Sequence, residues 1–342
     1  MQIRPDGADI CHTDSGMAGS FELRRLRYFV KVAELGSLTR AAEALHVAQP
    51  ALSHHMRSLE AEIGAQLLAR GPRGVGLTEA GARLAEEARA LLAGMHEMVE
   101  RVKGDAADPE GEVTIGVGQT VGSLVMVPLL EAAARRLPRV RIQVRELISG
   151  LLPDLVRSGA VDFGIAYNLA TGNGIEATTV FAENLCLVGL RRLARRHLGA
   201  MRGGDLPFAR IEGLPLYLSR RTHSLRELVE REARAKGIRL SIRAEVDSLY
   251  IMKELALSGS GFSILSAANV HREAAHHDLL VARLVDPFIR RKVCFVSRHG
   301  HALPRAARAV ATLAIETLAR IVREDVWRGR LLPQAAAMQK TL

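Results

Sequence analysis

The order of three short amphipathic segments near the start constrains this chain most, because each predicts a helix and the breaks between them are tight. The first runs from Leu23 and ends at Gly36, with apolar residues at helical spacing. The second begins near Ser37 or Thr39, whose hydroxyls can cap free amides, and it carries a face of small residues. Because small residues let a neighbouring helix approach closely, these two segments predict a packed helix pair.

The third segment predicts a helix from Gln49 to about Ile63. Pro50 suits its first turn, because the missing amide hydrogen has no partner there. An apolar stripe recurs at intervals of four and three: Leu52, Met56, Leu59 and Ile63. The polar residues away from that stripe are Gln49, Ser53, His54 and Arg57. Two helices, a turn and a helix with a polar outer face predict a helix-turn-helix, whose last helix fits the major groove of DNA.

A stretch rich in glycine and proline follows and predicts a hairpin that carries Arg70 and Arg73. In a winged DNA-binding module, such a hairpin follows the duplex backbone and its arginines bind phosphates. Alone, the helices are typical of an ordinary core and the hairpin of a solvated loop, but their order favours DNA. The expected contacts are Thr39, Gln49, Pro50, Ser53, His54, Arg57, Arg70 and Arg73.

The charge balance also favours a polyanionic partner. The chain has 47 lysines and arginines against 37 acidic residues, a net charge of +10. Each phosphate that such a surface neutralises releases counterions, although an arginine-rich proteome would produce the same balance. The densest basic run, Arg191 to His197, is interpreted as a solvated face, with an anionic effector or DNA as the alternative ligand.

The run from Leu23 to Gly81 resembles the N-terminal signature of LysR-type transcriptional regulators at nearly every position, and a weaker resemblance extends to about residue 320. Within that family, AEALHVAQPALS and the pair Leu67–Leu68 are most similar to the nitrogen assimilation control branch. The resemblance implies a homodimeric or homotetrameric regulator of transcription that reads double-stranded DNA, contacts RNA polymerase and acts in nitrogen metabolism. Ala48 and His54 stand where many relatives have serine and arginine.

A second heptad-like stripe follows the hairpin. Thr78 can cap a long helix, with Glu79 favourably placed at its positive end. Apolar residues then recur at intervals of four and three: Leu84, Ala88, Leu91, Met95, Met98 and Val102. This spacing predicts the seam of a coiled coil between two copies, and the alternative is an amphipathic helix that lies on its own domain. A polar stretch at 105–111 predicts a hinge.

The rest of the chain alternates between short apolar strands and helices, from Val113 to a final predicted helix at about 303–323. This pattern predicts an α/β domain with a mainly parallel sheet covered on both faces. The resemblance implies a two-lobed effector domain similar to periplasmic binding proteins. The expected division is a disordered extension (1–20), a winged helix-turn-helix domain (21–78), a linker helix (79–104), the hinge (105–111), an effector domain (112–323) and a tail (324–342). Lobe I is expected at about 112–180 and 284–323, and lobe II at about 181–283.

In such folds a ligand lies between the lobes, beyond the carboxyl ends of strands and near helix N-termini. The residues at those positions are Gln119, Thr120, Ser149, Gly150, Tyr167, Arg220, Thr222 and Ser224. Because arginine at a helix start suits a carboxylate or phosphate, a small anionic effector is expected. The alternative is that the hydroxyls are plain helix caps and the arginines are solvated. A further alternative is that the pocket is vestigial, because the resemblance to the nitrogen branch also implies a regulator that responds to its own abundance rather than to a ligand.

Other classes of protein fit the sequence less well. Signatures for nucleotide cofactors, zinc peptidases and serine hydrolases are missing, so no enzyme, cofactor or metal site is predicted. The three cysteines are far apart and the first 20 residues lack an apolar signal segment, which favours a cytoplasmic protein without a membrane role. The main rival is a small-molecule receptor whose N-terminal helices dock a protein partner; an enzyme with an appended regulator ranks third.

Overall fold

The structure, a computed structural model, describes residues 22–71, 74–103, 108–201 and 204–341. These residues belong to two compact units that divide between Leu92 and Ala93. The expected extension at 1–20, the wing residue Arg73 and the first part of the hinge, 105–107, lie outside the described residues. Among the described helices, none is both long and apolar enough to cross a membrane.

The amino-terminal unit has the predicted order of elements. They are α1 (Leu23–Leu35), α2 (Leu38–Ala44), α3 (Gln49–Ile63), β1 (Leu68–Gly71), β2 (Gly74–Leu77) and the start of α4 (Glu79–Lys103). The stripe predicted for α3 is confirmed in its first three members, since Leu52, Met56 and Leu59 are buried. They pack with Phe29 of α1 in one core. Burying this apolar face stabilises three helices that are individually too short to persist in water.

The carboxy-terminal unit consists of two α/β lobes. Lobe I contains β3 (Gly111–Val117), α5 (Gln119–Val121), α6 (Val127–Arg136), β4 (Val140–Glu146), α7 (Leu152–Arg157), β5 (Phe163–Tyr167), β12 (Arg290–Arg298), α12 (Arg305–Arg323), β13 (Arg330–Leu331) and α13 (Pro333–Thr341). Lobe II contains α8 (Arg191–Leu198), β7 (Gly204–Pro207), β8 (Pro215–Leu218), α9 (Ser224–Lys236), β9 (Ser241–Glu245), α10 (Leu249–Ser258), β10 (Phe262–Ser266), α11 (His271–Ala274) and β11 (Leu279–Val285). The 16-residue strand β6 (Ile175–Leu190) belongs to both lobes.

Strand β6 is longer than the strand expected at 184–190, and it moves the lobe boundaries. Its residues 175–184 pair with β12 in lobe I, whereas its residues 185–190 pair with β10 and β11 in lobe II. The chain therefore enters lobe II near residue 184 rather than 181. It returns with β12 near residue 290 rather than 284, because Leu284 and Val285 still pair with β7.

The segment expected as a tail is part of lobe I. Trp327 is fully buried, and its ring lies 4.9 Å from the ring of Phe181. Leu331 pairs with Phe181 in the sheet, and α13 then packs on α12. The final predicted helix at about 303–323 is thus followed by another strand and helix. Burial of a tryptophan side chain supplies the free energy that holds this segment in place.

Candidate DNA-binding surface and ligand cleft

The start of α2 is capped by Ser37 rather than Thr39. The Ser37 hydroxyl oxygen accepts a hydrogen bond from the Arg40 amide at 3.4 Å, and Thr39 lies inside the helix with an exposed side chain. The residue before α3 is Ala48, whose side chain offers no cap, and Pro50 occupies the first turn as expected. The turn between the helices passes through His46, whose backbone is left-handed.

The outer face of α3 presents the predicted polar row. Gln49, Pro50, His54 and Arg57 are exposed, whereas Ser53 is half-buried and its hydroxyl accepts a hydrogen bond from Gln49 Nε2 at 3.2 Å. This face is opposite the buried stripe, so its side chains are available to a partner. An exposed polar face of this kind is what a helix needs in order to contact base edges.

The hairpin is attached directly to the helical core. The Val75 amide donates to the carbonyl oxygen of Gly36 at 2.9 Å. Gly74 has a φ of +119°, and a Cβ on it would lie 2.6 Å from the same carbonyl oxygen. Both the close approach and the backbone angle therefore require glycine at Gly74. Of the two wing arginines, Arg70 lies in β1 and Arg73 is outside the described residues, so their phosphate contacts stay a prediction.

One contact in this unit escaped the sequence analysis. The Glu60 carboxylate accepts hydrogen bonds from the backbone amides of Leu67 and Leu68, at 2.9 and 3.0 Å. It thereby ties the end of α3 to the first strand of the hairpin. The only signal in the sequence is an acidic residue near the end of a helix, which usually indicates solvent exposure.

Helix α4 begins at the predicted cap. The Thr78 hydroxyl accepts from the Gly81 amide at 3.0 Å and donates to the Gln66 carbonyl oxygen at 2.6 Å. A Cβ at Gly81 would lie 2.0 Å from the Leu67 carbonyl oxygen, so the helix crosses the hairpin at a distance that only glycine permits.

The six residues of the expected seam do not share one environment. Ala88 is buried in the core of its own unit and Leu84 packs against that core, which corrects the prediction that both face a second copy. Leu91 and Met98 are 50% and 51% exposed, and Met95 is half-buried. Val102 lies in α4, but its side chain is outside the described part of the chain.

The carboxy-terminal unit has a small cavity between its lobes, about 50 Å³ in volume. Two hydrogen-bonding contacts join the lobes beside it. Gln119 Nε2 donates to the backbone carbonyl oxygen of Asp247 at 2.8 Å, and the Thr120 hydroxyl donates to the Asn269 side-chain oxygen at 3.3 Å. These contacts hold the lobes together around a space for one or two water molecules.

Five of the eight expected cleft residues line this cavity: Gln119, Thr120, Ser149, Tyr167 and Ser224. Gly150, Arg220 and Thr222 are exposed and lie outside its lining, so the expected anion-binding arginine is not in the cleft. The Arg220 guanidinium instead forms an ion pair with Asp247, and this contact lowers the pKa of that carboxyl. This ion pair could not be predicted from the sequence, because Asp247 is 27 residues away from Arg220.

The arginine that does reach the cavity is Arg291, which the sequence analysis missed. Its side chain is buried, and its guanidinium carbon lies 3.8 Å from the centre of the Tyr167 ring. It donates to Glu183 at 2.8 Å and to the Thr120 hydroxyl at 3.2 Å. The other Glu183 oxygen accepts from Ser266 and from the Trp327 indole, at 2.5 and 2.7 Å.

Both charges of this cluster are therefore compensated. Burial raises the pKa of Tyr167 to about 12, so its hydroxyl stays protonated at neutral pH. That hydroxyl accepts from the Val121 amide at 2.9 Å. The run Arg290-Arg291-Lys292 was the only sequence signal for the cluster, and it gave no indication that its middle residue is the buried one.

Three polar atoms in the same cavity are left without partners. Ser219 Oγ and Asn269 Nδ2 are buried and make no hydrogen bond within the described part of the chain. His223 Nε2 is also buried and lies 3.3 Å from Asp247 Oδ1, outside hydrogen-bond geometry. All three residues line the cavity. Because a buried polar atom without a partner is costly, they indicate a place for water or for a polar ligand group.

Comparison with known proteins agrees with this architecture. Residues 23–82 match the family model described as a bacterial regulatory helix-turn-helix protein of the lysR family, and residues 106–319 match the LysR substrate binding domain. The nitrogen assimilation regulatory protein nac of Klebsiella aerogenes is 30% identical over 300 residues, which cover 87% of this chain and 95% of that protein.

Solved structures of full-length regulators share the fold. An OxyR variant from Pseudomonas aeruginosa superposes with a TM-score of 0.72 at 23% identity, covering 86% of this chain and 94% of its own. CbnR in complex with its target DNA has a TM-score of 0.58 at 25% identity, covering 87% of this chain and 99% of its own. The chain belongs to the LysR family. It is a DNA-binding transcriptional regulator.

Proposed function

We propose that this regulator reads operator half-sites with α3 in the major groove and acts in nitrogen metabolism. The observation that carries the DNA contacts is the exposed polar row of α3, supported from behind by a buried apolar stripe. The nitrogen role rests on the 30% identity to the nac protein of Klebsiella aerogenes. As a regulator of transcription it works in the cytoplasm, beside RNA polymerase.

The proposed base-edge contacts come from Gln49, Ser53, His54 and Arg57, with Thr39 and Pro50 beside the sugar-phosphate backbone. Arginine suits guanine and glutamine suits adenine, because each pairs with two atoms of the base edge. Arg70 and Arg73 in the hairpin bind phosphates, which position the helix but carry no sequence information. The attachment of the hairpin to Gly36 supports this division of roles.

Binding to the DNA upstream of the protein's own gene tests the proposal. We expect Arg57→Ala and Ser53→Ala to weaken a footprinted site by about tenfold each, because a good base contact is worth about 1–3 kcal/mol. Arg73→Ala should weaken all duplexes equally and reduce the slope of affinity against salt by about one. Arg196→Ala on the exposed face of α8 is the control. Unchanged operator affinity in both α3 variants would show that this helix is misplaced.

We further propose that the protein is a homodimer or homotetramer joined through α4. Leu91 and Met98 are seven residues apart, so they lie on the same side of the helix, and each exposes about half of its surface. Large apolar side chains repeated at this spacing favour a second helix over solvent. Since Leu84 and Ala88 pack on their own unit, the contact between copies begins near Leu91.

For the lobes, we infer binding rather than catalysis. The charges of Glu183 and Arg291 compensate each other, and the atoms left without partners include the Ser219 hydroxyl and the Asn269 amide, which carry no charge. A cavity of about 50 Å³ accepts a few atoms, so a larger effector requires the lobes to separate. The contacts between lobes equally favour the second candidate, a regulator whose cleft stays closed and which responds to its own abundance.

A thermal-shift screen separates these two candidates. The purified protein is heated with small polar solutes and anions, and with Ser219→Val as the matched variant that removes an unpartnered hydroxyl. A ligand of the cleft should raise the unfolding temperature of the wild type and not that of the variant. If no solute shifts the wild type, the closed cleft is supported; if both proteins shift equally, the solute binds elsewhere.

A further inference from the structure

A second and larger cavity, about 780 Å³ in volume, lies where β6 and β12 pass between the lobes. Glu183 lines this cavity, whereas its ion-pair partner Arg291 lines the cleft. The buried pair is thus part of the wall between the two spaces. Arg328, Gly329, Arg330 and Leu332, which follow Trp327, form another part of the lining. We call this space the rear cavity.

The rear cavity is lined by five cationic side chains: Arg283, Arg290, Lys292, Arg328 and Arg330. Two of them are neutralised. Arg283 binds both oxygens of Asp205, at 2.7 and 2.8 Å, and Arg328 binds Asp325 at 3.0 Å.

The other three, Arg290, Lys292 and Arg330, form no ion pair with any residue that the structure describes. Among the described residues of the lining, the acidic ones are Asp205 and Glu183. Because both are already paired, about three positive charges face one concave space without compensation. All three side chains are exposed, and an anion that binds among them is attracted by each positive charge.

We propose that the rear cavity binds a small polyanion of about three negative charges, with phosphate or carboxylate groups. A volume of about 780 Å³ is within the range of small-molecule sites and far exceeds what one phosphate fills. Guanidinium groups pair with two oxygens of such anions at once, which suits Arg290 and Arg330. The site is separate from the DNA-binding surface, and its occupancy does not depend on the role proposed for α3.

The position of the cations gives binding a structural consequence. Arg283 comes from lobe II, Arg290 and Lys292 from the crossing strand β12, and Arg330 from the terminal strand β13. A ligand that contacts all of them bridges both lobes and the terminal segment. It therefore favours one angle between the lobes and stabilises the fold around Glu183.

The test is calorimetric titration of the full chain, at physiological salt, with sodium tripolyphosphate, ATP and citrate as probes. We expect at least one probe to bind with a Kd below about 1 mM, and Arg290→Ala/Lys292→Ala/Arg330→Ala to lose about tenfold or more of that affinity. Tripolyphosphate and citrate distinguish a phosphate ligand from a carboxylate ligand. ATP reports whether a nucleoside is accepted.

The matched control is Arg192→Ala/Arg195→Ala/Arg196→Ala, which removes three exposed charges from α8. It should change affinity by less than about twofold. Arg330→Ala alone keeps the backbone pairing of β13 with Ala182 and serves if the triple variant unfolds. Equal losses in control and test variants would show non-specific attraction to a basic protein. That result, or the failure of all three probes to bind the wild type, overturns the proposal.

Discussion

Arg291 on β12 and Glu183 on β6 form a buried ion pair between residues 108 apart in the chain, with Arg291 Nε 2.8 Å from Glu183 Oε1. Both strands pass between the lobes at this point. Glu183 also accepts from Ser266 of lobe II and from Trp327 of the terminal segment. One carboxylate thus joins three parts of the unit.

Removal of one charge of this pair should lower the free energy of unfolding more than removal of both charges. We expect Glu183→Gln to reduce the free energy of unfolding by about 3–5 kcal/mol, because Arg291 is left buried without its counter-charge. The double variant Glu183→Gln/Arg291→Met should recover part of that loss. Urea unfolding of the three proteins, followed by fluorescence of the single tryptophan, measures the difference. A double variant that is no more stable than Glu183→Gln would show that the uncompensated charge of Arg291 is not the source of the loss.

The terminal segment is expected to be necessary for the stability of lobe I. Trp327→Ala should cost about 3–5 kcal/mol, because a fully buried side chain that packs on Phe181 is removed. Trp327→Phe keeps most of the packing and loses the hydrogen bond to Glu183, for a cost nearer 1–3 kcal/mol. Thermal unfolding followed by circular dichroism reports both. Wild-type stability in Trp327→Ala would contradict the buried position.

Attachment of the hairpin can be tested at two glycines of the same strand. Gly74→Ala places a Cβ 2.6 Å from the Gly36 carbonyl oxygen and imposes a strained φ, so it should displace the hairpin. Affinity for every duplex should fall by about tenfold, because the phosphate contacts are lost together. Gly76→Ala is the control, since its Cβ would meet the nearest atom at 3.9 Å. Fluorescence anisotropy with specific and random DNA measures the affinities of both variants. If Gly74→Ala binds DNA as tightly as Gly76→Ala, the position of the hairpin does not contribute to binding.

The proposed contact between copies predicts a change of mass. Leu91→Asp/Met98→Asp should shift the protein toward monomer and weaken operator binding, because each charge would have to be buried in an apolar seam. Ala82→Asp adds a charge at an exposed position nearer the start of α4 and should leave the mass unchanged. Analytical ultracentrifugation distinguishes the outcomes, and an intact oligomer in the double variant would place the interface elsewhere.

Asp162 predicts a pH effect of definite sign. Burial raises the pKa of this carboxyl, although it accepts a hydrogen bond from the Thr114 amide at 2.7 Å. Because the folded pKa lies above the unfolded value of about 3.8, the contribution of Asp162 to stability is present at low pH and falls as pH rises through this interval. Asp162→Asn keeps an acceptor without this ionisation. Its stability relative to wild type should therefore rise between about pH 3 and pH 6 in urea unfolding; the opposite trend would reverse the assigned direction.

The local sequence pattern was sufficient to predict the order of helices and strands in the amino-terminal unit. The apolar intervals of α3, the proline at its start and the glycine after α1 all act within a few residues, so they appear directly in the sequence. The outward position of the candidate DNA contacts on α3 was predictable for the same reason, since polar residues opposite a buried stripe must face outward; their contacts with DNA stay a prediction. The seam stays a prediction for Leu91 and Met98, and it was wrong for Ala88, whose packing depends on distant residues of its own unit.

The alternation of strands and helices, and with it the α/β class, was determined by the sequence alone, because hydrophobic periodicity is a property of neighbouring residues; the division into two lobes came from the resemblance to the LysR family. Tertiary structure decided which arginine is buried, where β6 changes lobes and that the chain after Arg323 folds back. Each of those outcomes depends on a partner far away in sequence: Glu183 lies 108 residues from Arg291 and 144 from Trp327. A buried charge needs an opposite charge, and a buried indole N–H needs a hydrogen-bond acceptor. Because these partners are far away in sequence, no local pattern predicts which residues will meet.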